Sequence, residues 1–224
     1  MPFSAGTVGT RNGNFGPGLD TYRVTVYGKG GHASQPHMTT DPMVMAASII
    51  VRLQRITSKK LDFHDSAVVT VDSVVAGAME DIIADQAVLK LNIRYFDSSA
   101  RKDAVNLMKM ILKEVQQGWN ASKEPLVELI RSLPLLVNDS AVTQRISASF
   151  DATFEERHVK FCAPWGGTED FNILATEAPN KKGGKGVLHF FWLLGGADPH
   201  FVKKGPGRGQ MVDIRLITTH GFRR

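Results

Sequence analysis

Ala87-Val88-Leu89-Lys90-Leu91-Asn92-Ile93-Arg94-Tyr95 leads within a few residues into a segment with a different repeat, and that change sets the fold. Ala87, Leu89, Leu91, Ile93 and Tyr95 alternate with Val88, Lys90, Asn92 and Arg94, a period of two that predicts a strand with one buried face. From Ser99, read as the helix cap, the apolar set Ala104, Leu107, Met108, Ile111, Leu112 and Val115 recurs at helical spacing until Gly118.

The same grammar extends outward. Upstream, Ala67 to Val75 is Val- and Thr-rich and predicts an antiparallel partner strand across the Gly77 turn region. Before it, Asp41 as N-cap and Pro42 in the first turn open a helix expected to reach about Ser58, with Ala46, Ile49, Ile50, Leu53 and Ile56 on its apolar face. A first strand from about Asp20 to Tyr27 buries Tyr22, Val24 and Val26 and stops at Gly28, and Leu126 to Ile130 supplies a fourth. Strand, helix, strand, strand, helix, strand is the ferredoxin-like βαββαβ order, an α+β class with two helices on one face of a four-stranded sheet over residues 19–132. Residues 1–18, rich in Gly, read as an extended lead-in.

After Pro134 the pattern changes. A helix is expected over Asp139 to Phe154, then a loop Ala163-Pro164-Trp165-Gly166-Gly167, a short helix from Thr168, and a fully buried strand Val187 to Leu194 closed by Gly195-Gly196. Residues 133–198 hold too few elements to close an α/β core and read as part of such a domain, while 199–224 read as an irregular basic tail.

The chain has 224 residues, is 42% apolar and 22% charged, and carries a formal charge of +5. That composition excludes disorder and collagen-like repeats. Nine of the Lys/Arg and only two Asp/Glu fall in residues 181–224, so the basic excess belongs to the tail and comes without interleaved aromatics; nucleic acid is not an expected partner. No apolar run reaches the length of a membrane span and the start lacks an apolar h-region, so no membrane partner is expected and the cytoplasm is the expected location. The single Cys162 forms no internal disulfide and reads as a small buried hydrophobe.

Seven histidines, His32, His37, His64, His158, His189, His200 and His220, show no i,i+4 pair or tight ligand spacing, so no metal site is expected from spacing. His32 and His37 flank Pro36 in a loop; His64 and His158 sit among charges and read as solvated; His189 interrupts an apolar run and reads as a satisfied core histidine. Lys181-Lys182-Gly183-Gly184-Lys185-Gly186 lacks P-loop spacing and reads as a solvated loop. Gly166-Gly167-Thr168-Glu169-Asp170 places glycines before a helix start, where free backbone N–H groups can face an anion.

Gly28-Lys29-Gly30-Gly31-His32-Ala33-Ser34-Gln35-Pro36-His37, followed by Asp41-Pro42, resembles the lid signature of metallopeptidase family M-twenty, in its amidohydrolase branch of aminoacylases, hippurate hydrolase and indoleacetyl-amino-acid hydrolases. In order along the chain, Ala76-Gly77 through Ala87, Leu91-Asn92-Ile93-Arg94 and Gly166-Gly167-Thr168-Glu169-Asp170-Phe171 resemble three further family motifs.

The resemblance implies a ferredoxin-like lid, or dimerisation domain, followed by part of an α/β zinc-exopeptidase-like catalytic domain. It also implies homodimer formation through the lid and amide hydrolysis at a zinc or other divalent-metal centre in the whole enzyme. It makes His32 a donor to the oxyanion of the partner's site, and Arg94, Asp81, Gly167 and Thr168 substrate-binding positions. Asp81 stands where the family has Asn, and Ala84 where it has Pro. The family's metal-ligand run, its Glu general base and its closing metal histidine have no counterpart here, so no cofactor and no activity are expected of this chain alone; a non-catalytic pairing module is the alternative. Asp213-Ile214-Arg215-Leu216-Ile217-Thr218 is expected to be a frame-shifted reading of the family's closing Asp-Ile-Pro-Val-Asn-His segment, because one inserted cytosine in suitable codons interconverts them.

Overall fold

The computed structural model describes residues 3–56 and 67–198 and the backbone of 202–204 and 210–212. His64, His200, His220, the helix end expected near Ser58 and the reading at 213–218 lie outside the described residues. In chain order the elements are β1 (Val8–Gly9), β2 (Gly13–Gly16), β3 (Gly18–Tyr27), β4 (Gly31–His32), α1 (Pro42–Arg55), β5 (Ala67–Ala76), β6 (Ile82–Ile83), β7 (Gln86–Tyr95), α2 (Ser98–Gly118) and β8 (Leu126–Leu133). They continue with β9 (Leu136–Asn138), α3 (Ser140–Phe154), β10 (His158–Val159), α4 (Phe171–Glu177), β11 (Leu193–Leu194), β12 (Val202–Lys204) and β13 (Gln210–Val212). The chain divides into two compact units, Pro17–Leu135 and the remainder, Met1–Gly16 with Leu136–Arg224.

In Pro17–Leu135 the sheet order is β5-β7-β3-β8, every pair antiparallel. β3 and β7 pair over ten positions, from Gly18 opposite Tyr95 to Tyr27 opposite Gln86. Strict alternation along both strands sends Tyr22, Val24, Val26, Leu89, Leu91 and Ile93 to one side, where they are buried. Met45, Ile49 and Leu53 of α1 and Met108, Leu112 and Val115 of α2 complete that core. The Asp41 carboxylate caps α1 by accepting from the Met43 and Val44 amides, and Pro42 occupies the first turn, where no N–H is needed. For α2 the cap is Asp97, not Ser99: its carboxylate accepts from the Ser99 amide and hydroxyl. A carboxylate at this position satisfies an orphan N–H and adds a favourable charge at the positive end of the helix.

Asp20 shares the inward parity of Tyr22 and is fully buried. Arg101, in the first turns of α2, donates from Nε and Nη2 to its two carboxylate oxygens at 2.7 and 3.1 Å. Ser132 Oγ donates at 2.7 Å and the Tyr22 hydroxyl at 3.3 Å. The guanidinium also stacks 5.4 Å from the Tyr95 ring centroid. One carboxylate thereby ties β3 to α2 and β8. Burial and the adjacent Asp20 charge push the Tyr22 hydroxyl up to about 12.

Three expectations for the other unit need correction. Val187 to Leu194 is not a buried strand: only Leu193–Leu194 pairs as one, and Val187 and Leu188 are exposed. The Asn138 side-chain amide takes the place of a neighbouring strand, accepting from the Phe191 amide at 2.7 Å and donating to its carbonyl at 2.8 Å. The short helix begins at Phe171 rather than Thr168, and in the loop ahead of it Trp165 Nε1 donates to the Glu169 carboxylate at 3.0 Å. The tail is not wholly irregular: β12 and β13 pair antiparallel, which backbone hydrogen bonds alone permit without an apolar face.

Arg101→Met leaves Asp20 as a buried, under-compensated carboxylate and should lower unfolding free energy by about 3 kcal/mol, read by urea denaturation. Because the folded Tyr22 hydroxyl titrates above its ordinary value, the stability linked to its neutral form is complete below about pH 10 and is lost as pH rises toward 12. The unfolding midpoint should therefore fall over that interval, less steeply in Tyr22→Phe.

Candidate functional site

The β3–β7 register makes the segment leaving Tyr27 and the segment entering Gln86 emerge side by side. They are laced together. The Gly28 amide donates to the Asp85 carbonyl at 2.8 Å, the Gly30 amide to the Asp85 carboxylate at 2.9 Å, and the Ala33 amide to the Asp81 carbonyl at 2.9 Å. β4 and β6 pair between these bonds, Gly31 opposite Ile83 and His32 opposite Ile82. Glycine is required at 30, since a Cβ there would stand 2.5 Å from the Ile83 carbonyl oxygen.

This lacing presents His32 on an exposed two-residue ribbon. The Ser34 amide donates to His32 Nδ1 at 3.1 Å, and the Ser34 hydroxyl lies 2.9 Å from the same nitrogen. An amide N–H can only donate, so Nδ1 is the acceptor and the neutral imidazole carries its proton on Nε2. The ring is thus set as an N–H donor. Asp81, also exposed, is the turn residue immediately before β6.

Arg94 is not brought to this site within one chain. It lies on β7 eight residues beyond Gln86, roughly 26 Å away along the strand, opposite Leu19 and Val68 and on the face away from the helices. On that face Thr21 Oγ1 donates to Asn92 Oδ1 at 2.6 Å, and Asn92 Nδ2 donates to Asp72. Gly167 and Thr168 belong to the other unit, in a loop organised by Trp165, whose amide donates to the Phe15 carbonyl at 2.7 Å. Their amides precede the helix by several residues instead of opening it.

Within the second unit His158 is not solvated. It is buried, with Nε2 at 2.9 Å from the Thr10 hydroxyl and Nδ1 at 2.8 Å from Asp151, whose carboxyl is held low by bonds from Lys160 and then His158. Thr10 is buried too, so this array is a strut between β10, α3 and the β1 exit rather than an accessible nucleophile. His189 is only half satisfied: Nδ1 donates to the Val187 carbonyl at 3.1 Å while Nε2 has no hydrogen-bond partner among the described residues. Cys162 is buried as expected, and burial pushes its thiol up. Lys181 to Lys185 are exposed, around a turn organised by the Asn180 side chain.

Among the described residues no three His, Cys, Asp or Glu side chains converge as metal ligands. With His32 Nδ1 and both His158 nitrogens engaged and Cys162 isolated in the core, the described donor set does not fit a two-metal centre. No described helix is long and apolar enough to cross a membrane. Asp85 and Ser34, which fix the loop and the imidazole, escaped sequence reasoning. Asp20 and Arg101 had a usable signal: a carboxylate on the apolar parity of a strand.

Residues 17–120 match the peptidase dimerisation domain of family M-twenty, and the chain belongs with the amidohydrolases and peptidases that carry it. It is 29% identical over 198 residues to N-acetyl-L-cysteine deacetylase of Bacillus subtilis, covering 88% of this chain and 45% of that protein. Thermostable carboxypeptidase 2 of Saccharolobus solfataricus is 29% identical over 181 residues, 79% of this chain and 44% of the relative. A dinuclear metal-binding peptidase of the family from Bacillus subtilis superposes with a TM-score of 0.64 at 22% identity, covering 97% of this chain and 51% of its own. The chain thus spans about half the length of the relatives it matches.

At neutral pH or above, the two ring nitrogens of His32 should show the chemical shifts of the Nε2–H tautomer in long-range nitrogen–proton NMR spectra, and Ser34→Pro, which removes the donating amide, should mix the tautomers.

Proposed function

We propose that this chain serves the amide hydrolysis of N-acyl amino acids or peptides, a metal-dependent reaction in its family, as a lid whose His32 acts on a neighbouring subunit's site. The observation that carries the reading is the Ser34 amide at His32 Nδ1, which leaves Nε2–H as an outward donor. The sheet order β5-β7-β3-β8 with α1 and α2 packed on the same core supports a ferredoxin-like lid.

Homodimer formation through this unit is part of the proposal. The outer surface of α1 carries exposed Val44 and Val51, seven residues apart on one helical face, and the β5 edge exposes Val68 and Val75. The distance between His32 and Arg94 in one chain fits a site shared by two. In such a site Arg94 would take the substrate carboxylate, with Gly167 and Thr168 offering backbone donors. Asp81, a carboxylate where the family has an amide, would disfavour an anionic group beside it.

A second reading, a non-catalytic pairing module, draws support from the described donor set, which does not fit a metal pair. The two readings part in a chimera that places residues 17–135 in the B. subtilis deacetylase in place of its own dimerisation domain. There His32→Ala should lower kcat by about 10²–10³, the loss of one oxyanion donor; an unchanged kcat favours the pairing module. The purified chain alone should be dimeric by light scattering, bind no stoichiometric zinc and leave N-acyl amino acids intact. In it His32→Ala should change folding stability by no more than about 0.5 kcal/mol, as at other exposed sites.

A further inference from the structure

Between β5 and β7 the chain runs through a loop that opens at Gly77, with φ 72°, and is tied by β6 to the ribbon carrying His32. This loop and the adjoining strand ends line a groove of about 640 Å³, within the size range of small-molecule clefts. Val88 lines it from the sheet: it alternates with Ala87 and Leu89, which are buried against the helices, and so faces the opposite side. Met79 and Ile82 add large apolar side chains, 65% and 51% exposed, and the short side chains of Ala78 and Ala84 leave the space open.

Charge narrows what such a groove can take. Asp85 is part of the lining, and the bond from the Gly30 amide at 2.9 Å holds its carboxylate in place. Asp81, exposed, directly precedes Ile82, and among the described residues no Lys or Arg lines the groove. An anionic group there meets like charge without a counter-ion, whereas an uncharged apolar one gains by leaving water. The groove also adjoins the donor already described: Ile82 is the cross-strand neighbour of His32, and residues so paired have Cβ atoms about 5 Å apart on one side of the ribbon.

We propose that this groove is an acyl subsite, and that the substrates served are N-acyl amino acids whose acyl group is uncharged, apolar and longer than acetyl. The assignment rests on the reading of His32 as an oxyanion donor: a carbonyl oxygen at Nε2–H brings the acyl chain beside Ile82, with the amino-acid part across the amide. Acyl groups ending in a second carboxylate, such as succinyl, are disfavoured by Asp81 and Asp85. Acetyl, with a single methyl, covers little of the groove.

The test titrates the purified chain with N-hexanoyl-, N-acetyl- and N-succinylglycinamide while the Met79 and Ile82 methyl resonances are followed by NMR. The hexanoyl compound should shift both and bind at least about tenfold more tightly than the acetyl compound, the gain from partly covering the added methylenes, and the succinyl compound should shift neither. Met79→Asp and Ile82→Asp, at exposed positions that should leave the circular dichroism spectrum unchanged, should each weaken hexanoyl binding at least about fivefold, read at the remaining methyl. His32→Ala should leave that binding within about twofold. No shift with millimolar hexanoyl compound, acetyl or succinyl binding of equal strength, or binding that both Asp variants retain overturns the subsite. An unchanged kcat for His32→Ala in the chimera overturns the catalytic reading instead, and with it the acyl role, even where the groove binds.

Discussion

The ten-residue pairing of β3 with β7 is the constraint on which the Pro17–Leu135 unit depends. Because Tyr27 lies opposite Gln86, the chain leaving one strand and the chain entering the other start as neighbours, and the amides of Gly28, Gly30 and Ala33 find acceptors on Asp85 and Asp81. A slip of one residue would turn the apolar face of β7 to the other side and separate the loops. Core packing and site geometry are therefore consequences of the same register.

Asp20 works with that register. A fully buried carboxylate is costly unless its oxygens are bonded, and here Arg101, Ser132 and Tyr22 all donate to it. The pairing joins the helix following β7 to the strand preceding it in space, so α2 has one favoured seating on the sheet. The opposite end of the sheet, by contrast, is held by backbone hydrogen bonds and the Asp85 carboxylate, and it carries the exposed His32.

The second unit behaves differently because its pairings are short. β1 pairs over two residues with β10 and with β11, and much of the register of the 187–194 run comes from one asparagine side chain. His158 supports this thin framework by bridging Thr10 and Asp151. Leu174, Leu188 and Leu194 stay exposed beside this framework.

Sequence alone determined the elements of the Pro17–Leu135 unit, since periods of 2.0 and 3.6 record which side chains face a core, and Asp41-Pro42 marks a helix start by chemistry local to it. The Gly28–His37 and Gly166–Phe171 motifs also made the family legible. Tertiary structure decided what depends on partners distant in the chain. Ser34 sets the proton of His32, Asp151 and Thr10 bond a buried histidine that reads as solvated, and Trp165 bonds Glu169 in the loop ahead of α4. Asn138 takes the place of a strand beside an apolar run that reads as buried. Periodicity reports one element's own exposure pattern; whether a second layer, a donor or a neighbouring strand is present is fixed only when the chain folds back on itself.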